Sequence, residues 1–132
     1  VIKSIAQVRG TDIHGSGYFH APRGTRLHNG IDYAVITGST ILSPVSGVVT
    51  KLGYPYADDL SFRYVQITDL EGYKWRIFYI EPSVSIGDKI TLVSKIGVVQ
   101  DLDERYQGIT PHVHLEIKSP NNDFINPEDK LV

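Results

Sequence analysis

The sequence predicts an all-β protein, a small single-domain antiparallel sandwich or barrel-sandwich hybrid with short strands and long loops. Three observations predict it. Apolar and polar residues alternate over short runs, the period of strands with one buried face. Twelve glycines and seven prolines punctuate those runs at frequent intervals. No segment with helical period reaches ordinary helix length. Many short strands at regular spacing indicate a sandwich or barrel.

Taken in order, Val1 to Gly10 is apolar and mixed, a strand or a lead-in, and residues 1–14 are read as a lead-in segment. Thr11 to Gly24 carries Gly15, Gly17, Pro22 and Gly24 and reads as loop. Ile31 to Ile36 is a strand, Thr37-Gly38-Ser39 a turn, and Thr40 to Leu42 the next strand, with Ser43-Pro44 at an edge or bend. Gly47 to Leu52 is another strand, and Gly53 to Leu60 a surface loop containing Asp58 and Asp59. Phe62 to Thr68 and Tyr73 to Ile80 alternate on either side of a hairpin turn at Asp69 to Gly72. In the second of these, Trp75, Ile77 and Tyr79 share one face. Ser85 to Gly97 reads as two short strands with a Gly-Asp turn between them. Gln100 to Thr110 holds one helical turn, around Asp101 to Tyr106, in a loop expected beside the site. Pro111 to Lys118 is a strand, and residues 120–132 are a C-terminal tail expected to pack as coil.

A chain of 132 residues forms one compact domain, read as 1–132. The formal net charge of −2 argues against a nucleic-acid groove or a polybasic membrane surface. No apolar run is long enough to span a bilayer. Cysteine is absent, so no disulfide supports the fold. Because numbering begins at Val1, the chain is expected to be an excised domain or a processed product of a larger chain or assembly.

Chemistry concentrates in two stretches. In P-H-V-H-L-E-I-K, Val113, Leu115 and Ile117 alternate with His112, His114 and Glu116. The two histidines therefore share a face, about 7 Å apart from two strand rises. Such a pair can share one zinc ion, or one can bind metal while the other moves protons. In L-H-N-G-I-D-Y, His28 and Asp32 flank Gly30, which lets the backbone turn so that both side chains reach one point. His28, Asp32 and one histidine of the later pair make three N and O ligands with a fourth position open, the pattern of a catalytic zinc. His14 and His20 lack a partner at ligand spacing and read as surface loop residues.

These stretches, with G-Y-F-H-A-P-R-G-T-R before L-H-N-G-I-D-Y, G-S-T-I-L-S-P-V-S-G-V-V, S-I-G-D-K-I, K-I-G and I-N-P-E-D-K-L, resemble the lysostaphin-type, LytM-like zinc endopeptidases. The resemblance implies one zinc ion held by His28, Asp32 and His114, with His112 as a catalytic residue. It implies peptidoglycan peptides as substrate and an extracellular, periplasmic or phage-virion setting, and it suggests a bacterial or phage cell-wall protein. One position departs from the family pattern: Tyr79 stands in I-F-Y-I where a second catalytic histidine is usual. The leukocyte-chemotaxin branch carries the same replacement, and F-Y-I-E-P and Y-Q-G-I-T-P-H-V-H-L-E are similar to it. That branch acts by binding, which implies an alternative reading as a zinc-binding module without turnover. A phenol with an ordinary pKa of ~10 cannot serve as base near neutral pH. It can donate a hydrogen bond to a developing oxyanion. S-P-V-S-G-V-V also resembles biotinyl or lipoyl carrier domains, but Lys51 does not match their hairpin-tip motif, and that reading leaves the histidines and Asp32 unexplained.

Overall fold

A computed structural model describes residues 29–131 and the backbone of residues 7–8, 22–23 and 26–27. The strands are β1 (Gln7–Val8), β2 (Pro22–Arg23), β3 (Arg26–Leu27), β4 (Ile31–Ala34), β5 (Thr40–Leu42), β6 (Gly47–Gly53), β7 (Tyr64–Thr68), β8 (Lys74–Phe78), β9 (Ile80–Pro82), β10 (Lys89–Ile90), β11 (Lys95–Val99), β12 (His112–Lys118) and β13 (Phe124–Ile125). Short 3-10 turns at Leu102–Glu104 and Pro127–Asp129 are the helical content of the described residues. None is long and apolar enough to cross a membrane.

The main sheet has eight strands in the order β1-β4-β12-β8-β7-β6-β10, with β13 continuing beside β12 where β4 ends. A second sheet orders β5-β11-β9, and β2 pairs β3 in a separate ribbon. The pairings are antiparallel throughout. The expected all-β antiparallel sandwich is therefore the architecture.

Period-two alternation assigns the two faces of the main sheet. Ile31 and Tyr33 of β4, Val65 and Ile67 of β7, Trp75 and Ile77 of β8, and Val113, Leu115 and Ile117 of β12 point inward. They meet Ile41, Ile80, Ile96 and Val99 from the second sheet in one buried cluster. Each such aliphatic side chain, once buried, contributes roughly 1.5–3 kcal/mol of transfer free energy. The opposite face carries Asp32, His112, His114 and Glu116, and this core holds them in place.

Three sequence expectations change at the local level. The strand read over Tyr73 to Ile80 breaks at Tyr79, which has φ +72°. The chain crosses there from the main sheet (β8) into the second sheet (β9). The Gly-Asp turn read between the two strands of Ser85 to Gly97 lies before the first of them, because Gly87 at φ +95° precedes β10. The tail is also not simple coil. β13 pairs with β12, Leu131 enters the core, and the Tyr33 hydroxyl donates to Glu128 at 2.9 Å.

Candidate active site

β12 is an interior strand of the main sheet, with β4 on one side and β8 on the other. Its register pairs His114 with both Asp32 and Phe78. Residues in register across an antiparallel sheet share a face, so folding alone brings these side chains together. Gly30, just before β4, makes this approach possible. A Cβ at that position would overlap the Leu115 carbonyl oxygen. The need is for space rather than the turn expected from the sequence.

Asp32 lies between the two histidines. One carboxylate oxygen is 2.7 Å from His114 Nδ1, and the other is 3.5 Å from His112 Nε2. His114 Nε2 lies 2.9 Å from Glu116 Oε1. His112 Nδ1 lies 2.7 Å from the Thr110 carbonyl oxygen. A carbonyl only accepts, so Nδ1 of His112 carries the hydrogen, and in the neutral tautomer Nε2 is the accepting nitrogen. The proton-accepting atom of His112 therefore faces the Asp32 side of the site.

Both nitrogens of His114 face carboxylates. Burial pushes its pKa down, but hydrogen bonds to Asp32 and Glu116 and their negative charge outweigh it, raising the value to about 9. Asp32 and Nδ1 of His114 could together hold a metal cation in place of that proton, a divalent ion adding one positive charge beside the two carboxylates. Glu116 would then orient the imidazole through its other nitrogen, as carboxylates do behind metal-bound histidines. The chemistry of this N and O donor set fits zinc. No group of three His, Cys, Asp or Glu side chains able to hold a metal occurs among the described residues. Of the three ligands expected from the sequence, Asp32 and His114 are brought into contact. The third, His28, lies outside the described residues, as do His14 and His20.

Tyr79 lies beside this cluster by a route that strand alternation did not anticipate. Regular alternation would have put it with Trp75 and Ile77 in the core. Its left-handed backbone instead turns the ring to the site face, edge-on to His112 with centroids 5.5 Å apart. Hydrogen bonds from Tyr79 N–H to the Arg63 carbonyl and from Gln100 N–H to the Tyr79 carbonyl, each 2.8 Å, hold the kink. Burial raises the Tyr79 phenol above its ordinary range. A hydrogen bond from Tyr56 opposes the rise, and the negative charge of Asp32 adds to it. The hydroxyl is thus a donor and not a base. Phe78, in register with His114, packs edge-on to it at 5.0 Å and stacks on Tyr64 at 4.6 Å.

Two features go beyond the ligand set expected from the sequence. Glu116, which the sequence places on the histidine face either to orient a histidine or to meet solvent, has a side chain only 12% exposed and bonded to His114. Its place two residues after His114, on the same face, was the available signal. Tyr56 and Tyr106 sit in loops without periodicity, so no local pattern marks them, yet their hydroxyls reach Tyr79.

The bovine leukocyte cell-derived chemotaxin-2 (Bos taurus) is 31% identical over 114 residues, covering 86% of this chain and 75% of that protein. Lysostaphin from Staphylococcus simulans has the same fold, with a TM-score of 0.70 at 19% identity over 87% of this chain and 48% of its own. A zinc-containing peptidase from Vibrio cholerae has a TM-score of 0.64 at 24% identity, over 91% of this chain and 39% of its own. The chain thus spans half or less of these two solved proteins. The profile of peptidase family M23 matches residues 26–127, a span that begins at β3 and runs through Asp32, Tyr79 and the two histidines of β12 to the final 3-10 turn. With the fold and most of the sequence in agreement, the chain belongs to peptidase family M23.

Proposed function

We propose that the chain is a zinc-dependent endopeptidase of the lysostaphin type. Its proposed substrates are peptidoglycan peptides, met outside the cytoplasm in the extracellular space, the periplasm or a phage virion, with the domain of residues 1–132 carried in a larger chain or assembly. One observation carries this reading: a single buried carboxylate, Asp32, presents one oxygen to each of two imidazoles on the neighbouring strand. His28, Asp32 and His114 would hold one zinc ion. When bound, zinc supplies Lewis acidity to the reacting centre.

The remaining work falls to protein side chains. Nε2 of His112 takes a proton from the attacking water and returns it to the leaving amine. The Thr110 carbonyl holds the hydrogen on Nδ1, so that Nε2 is the accepting nitrogen of the neutral ring. The Tyr79 hydroxyl donates a hydrogen bond to the oxygen on which negative charge develops. Removing one such donor elsewhere has lowered rates by about 10²–10³-fold. Glu116 keeps the His114 ring in its orientation.

A second reading is a zinc-binding module that acts by binding without turnover. Tyr79 and the similarity to chemotaxin-2 favour it. Amine release from purified peptidoglycan, with zinc and after chelation, separates the two readings. The peptidase reading expects zinc-dependent release and about one zinc per chain on metal analysis. It expects His114→Ala to lose tight metal binding and His112→Ala to retain most of it while losing turnover. Bound zinc with no release from any cell-wall preparation would favour the binding module. Absence of zinc affinity would overturn both.

A further inference from the structure

Three tyrosine hydroxyls join end to end beside His112. Tyr106 donates to Tyr56 at 2.7 Å, and the hydroxyls of Tyr56 and Tyr79 lie 2.8 Å apart. Arg105 stands at the outer end. Its Nε donates to the Tyr106 hydroxyl at 3.4 Å, and its guanidinium carbon lies 3.8 Å above the Tyr56 ring. These residues come from separate places: Tyr56 from the loop between β6 and β7, Arg105 and Tyr106 from the loop before β12, and Tyr79 from the kink between the two sheets.

Counting hydrogens gives the row a direction. A phenol carries one hydrogen. Tyr106 directs its hydrogen to Tyr56, so the Tyr56 oxygen accepts there. The hydrogen of Tyr56 then has Tyr79 as its neighbour. With Tyr56 as the donor of that pair, the direction in which its hydrogen bond opposes the rise of the Tyr79 pKa, the Tyr79 oxygen accepts and its own hydrogen lies outside the row. Among the described residues, Tyr56 is the hydrogen-bond partner of the Tyr79 hydroxyl, and the remaining hydrogen is available to an incoming group. A cation at the head polarises each bond in turn, and each bond in such a chain strengthens the next.

We infer that Arg105, Tyr106 and Tyr56 form a one-way hydrogen-bond relay that commits the Tyr79 hydroxyl to donating toward a substrate carbonyl beside His112. This rests on the reading of Tyr79 as the oxyanion donor. It makes Tyr56 and Tyr106 positioning residues. The acceptor they favour is a carbonyl oxygen acquiring negative charge. Without the relay, Tyr79 could turn its hydrogen toward Tyr56 and present only lone pairs to the substrate.

Phenylalanine substitutions test the relay because they keep the rings and remove single hydroxyls. In metal-free protein labelled with 13C at tyrosine Cζ, Tyr56→Phe should move the Tyr79 resonance. Tyr106→Phe should move it too, although the Tyr106 hydroxyl bonds Tyr56 and not Tyr79. If the Tyr79 resonance stays in place in both folded variants, there is no relay. In turnover, Tyr56→Phe should lower kcat about tenfold with KM nearly unchanged, a partial loss of one oxyanion donor. In a Tyr79→Phe background it should add nothing. A further loss there would overturn the relay, since Tyr56 would then act by another route. If Tyr79→Phe lowers kcat but Tyr56→Phe does not, the relay is wrong and the role of Tyr79 stands. If Tyr79→Phe keeps full activity, the oxyanion role fails, and the relay's commitment of Tyr79 to substrate fails with it.

Discussion

His114 makes the stability of the metal-free protein depend on pH in a direction opposite to the usual acid lability of carboxylates. Its pKa rises from 6.5 to about 9 in the folded state because Asp32 and Glu116 face its two nitrogens, against the opposing effect of burial. A group whose folded pKa is raised stabilises the fold fully below its unfolded pKa. That contribution fades as pH climbs through the folded value. The window is therefore pH 6.5 to about 9. A shift of this size corresponds to about 3 kcal/mol, at 1.36 kcal/mol per pKa unit. Side-chain exposure of 10% leaves little solvent screening to reduce it. The assay is urea unfolding of chelator-treated wild type and His114→Asn from pH 6 to pH 9.5. The difference between the two curves isolates His114 from other groups that titrate in the range. That difference should shrink by about 3 kcal/mol with rising pH, or roughly 1–3 M in urea midpoint for ordinary slopes. A difference that stays flat or grows with pH would refute the assignment of two carboxylate partners to one charged imidazole.

The same proton opposes metal. Between pH 6.5 and about 9, apparent zinc affinity measured by competition with a chromophoric chelator should rise about tenfold per pH unit, one proton leaving per ion bound. Gly30→Ala should destabilise the fold by about 1–3 kcal/mol or more on thermal or urea unfolding, because the added methyl meets a backbone carbonyl of β12 that cannot turn aside.

Alternation carried most of what was legible in the sequence. It is a local property, and β4, β7, β8 and β12 obey it, so the shared face of His112 and His114 followed from spacing alone. The pairing of Asp32 with His114 is separated by 82 residues. Spacing left open which histidine of the later pair joins Asp32, and only the family resemblance singled out His114, because the register that pairs them is set by the folded sheet. Tyr79 broke the pattern for a backbone reason: at φ +72° a residue no longer obeys the two-residue period. Nothing in F-Y-I-E-P marks a tyrosine for the left-handed region, where glycine is the ordinary occupant. The C-terminal segment was misjudged because Phe124-Ile125 is too short to show a period, and Leu131 anchors it by a single side chain. The hydroxyl chain through Tyr56 and Tyr106 depends on loops from distant parts of the sequence meeting, which no local spacing encodes.

The interior place of β12 also orders the making of the protein. β4 ends at Ala34 and β8 at Phe78, so both neighbours leave the ribosome well before His112 does. Until β12 inserts between them, their facing edges have no strand to bond, and the apolar face they share lacks Val113, Leu115 and Ile117. Pairings of such long sequence separation form slowly and leave edges open to aggregation in the interval. The strand that closes the sheet also delivers both histidines. A nascent or truncated chain that ends before β12 therefore lacks both the closed core and the proposed hydrolytic centre, and the protein acquires the two in the same event.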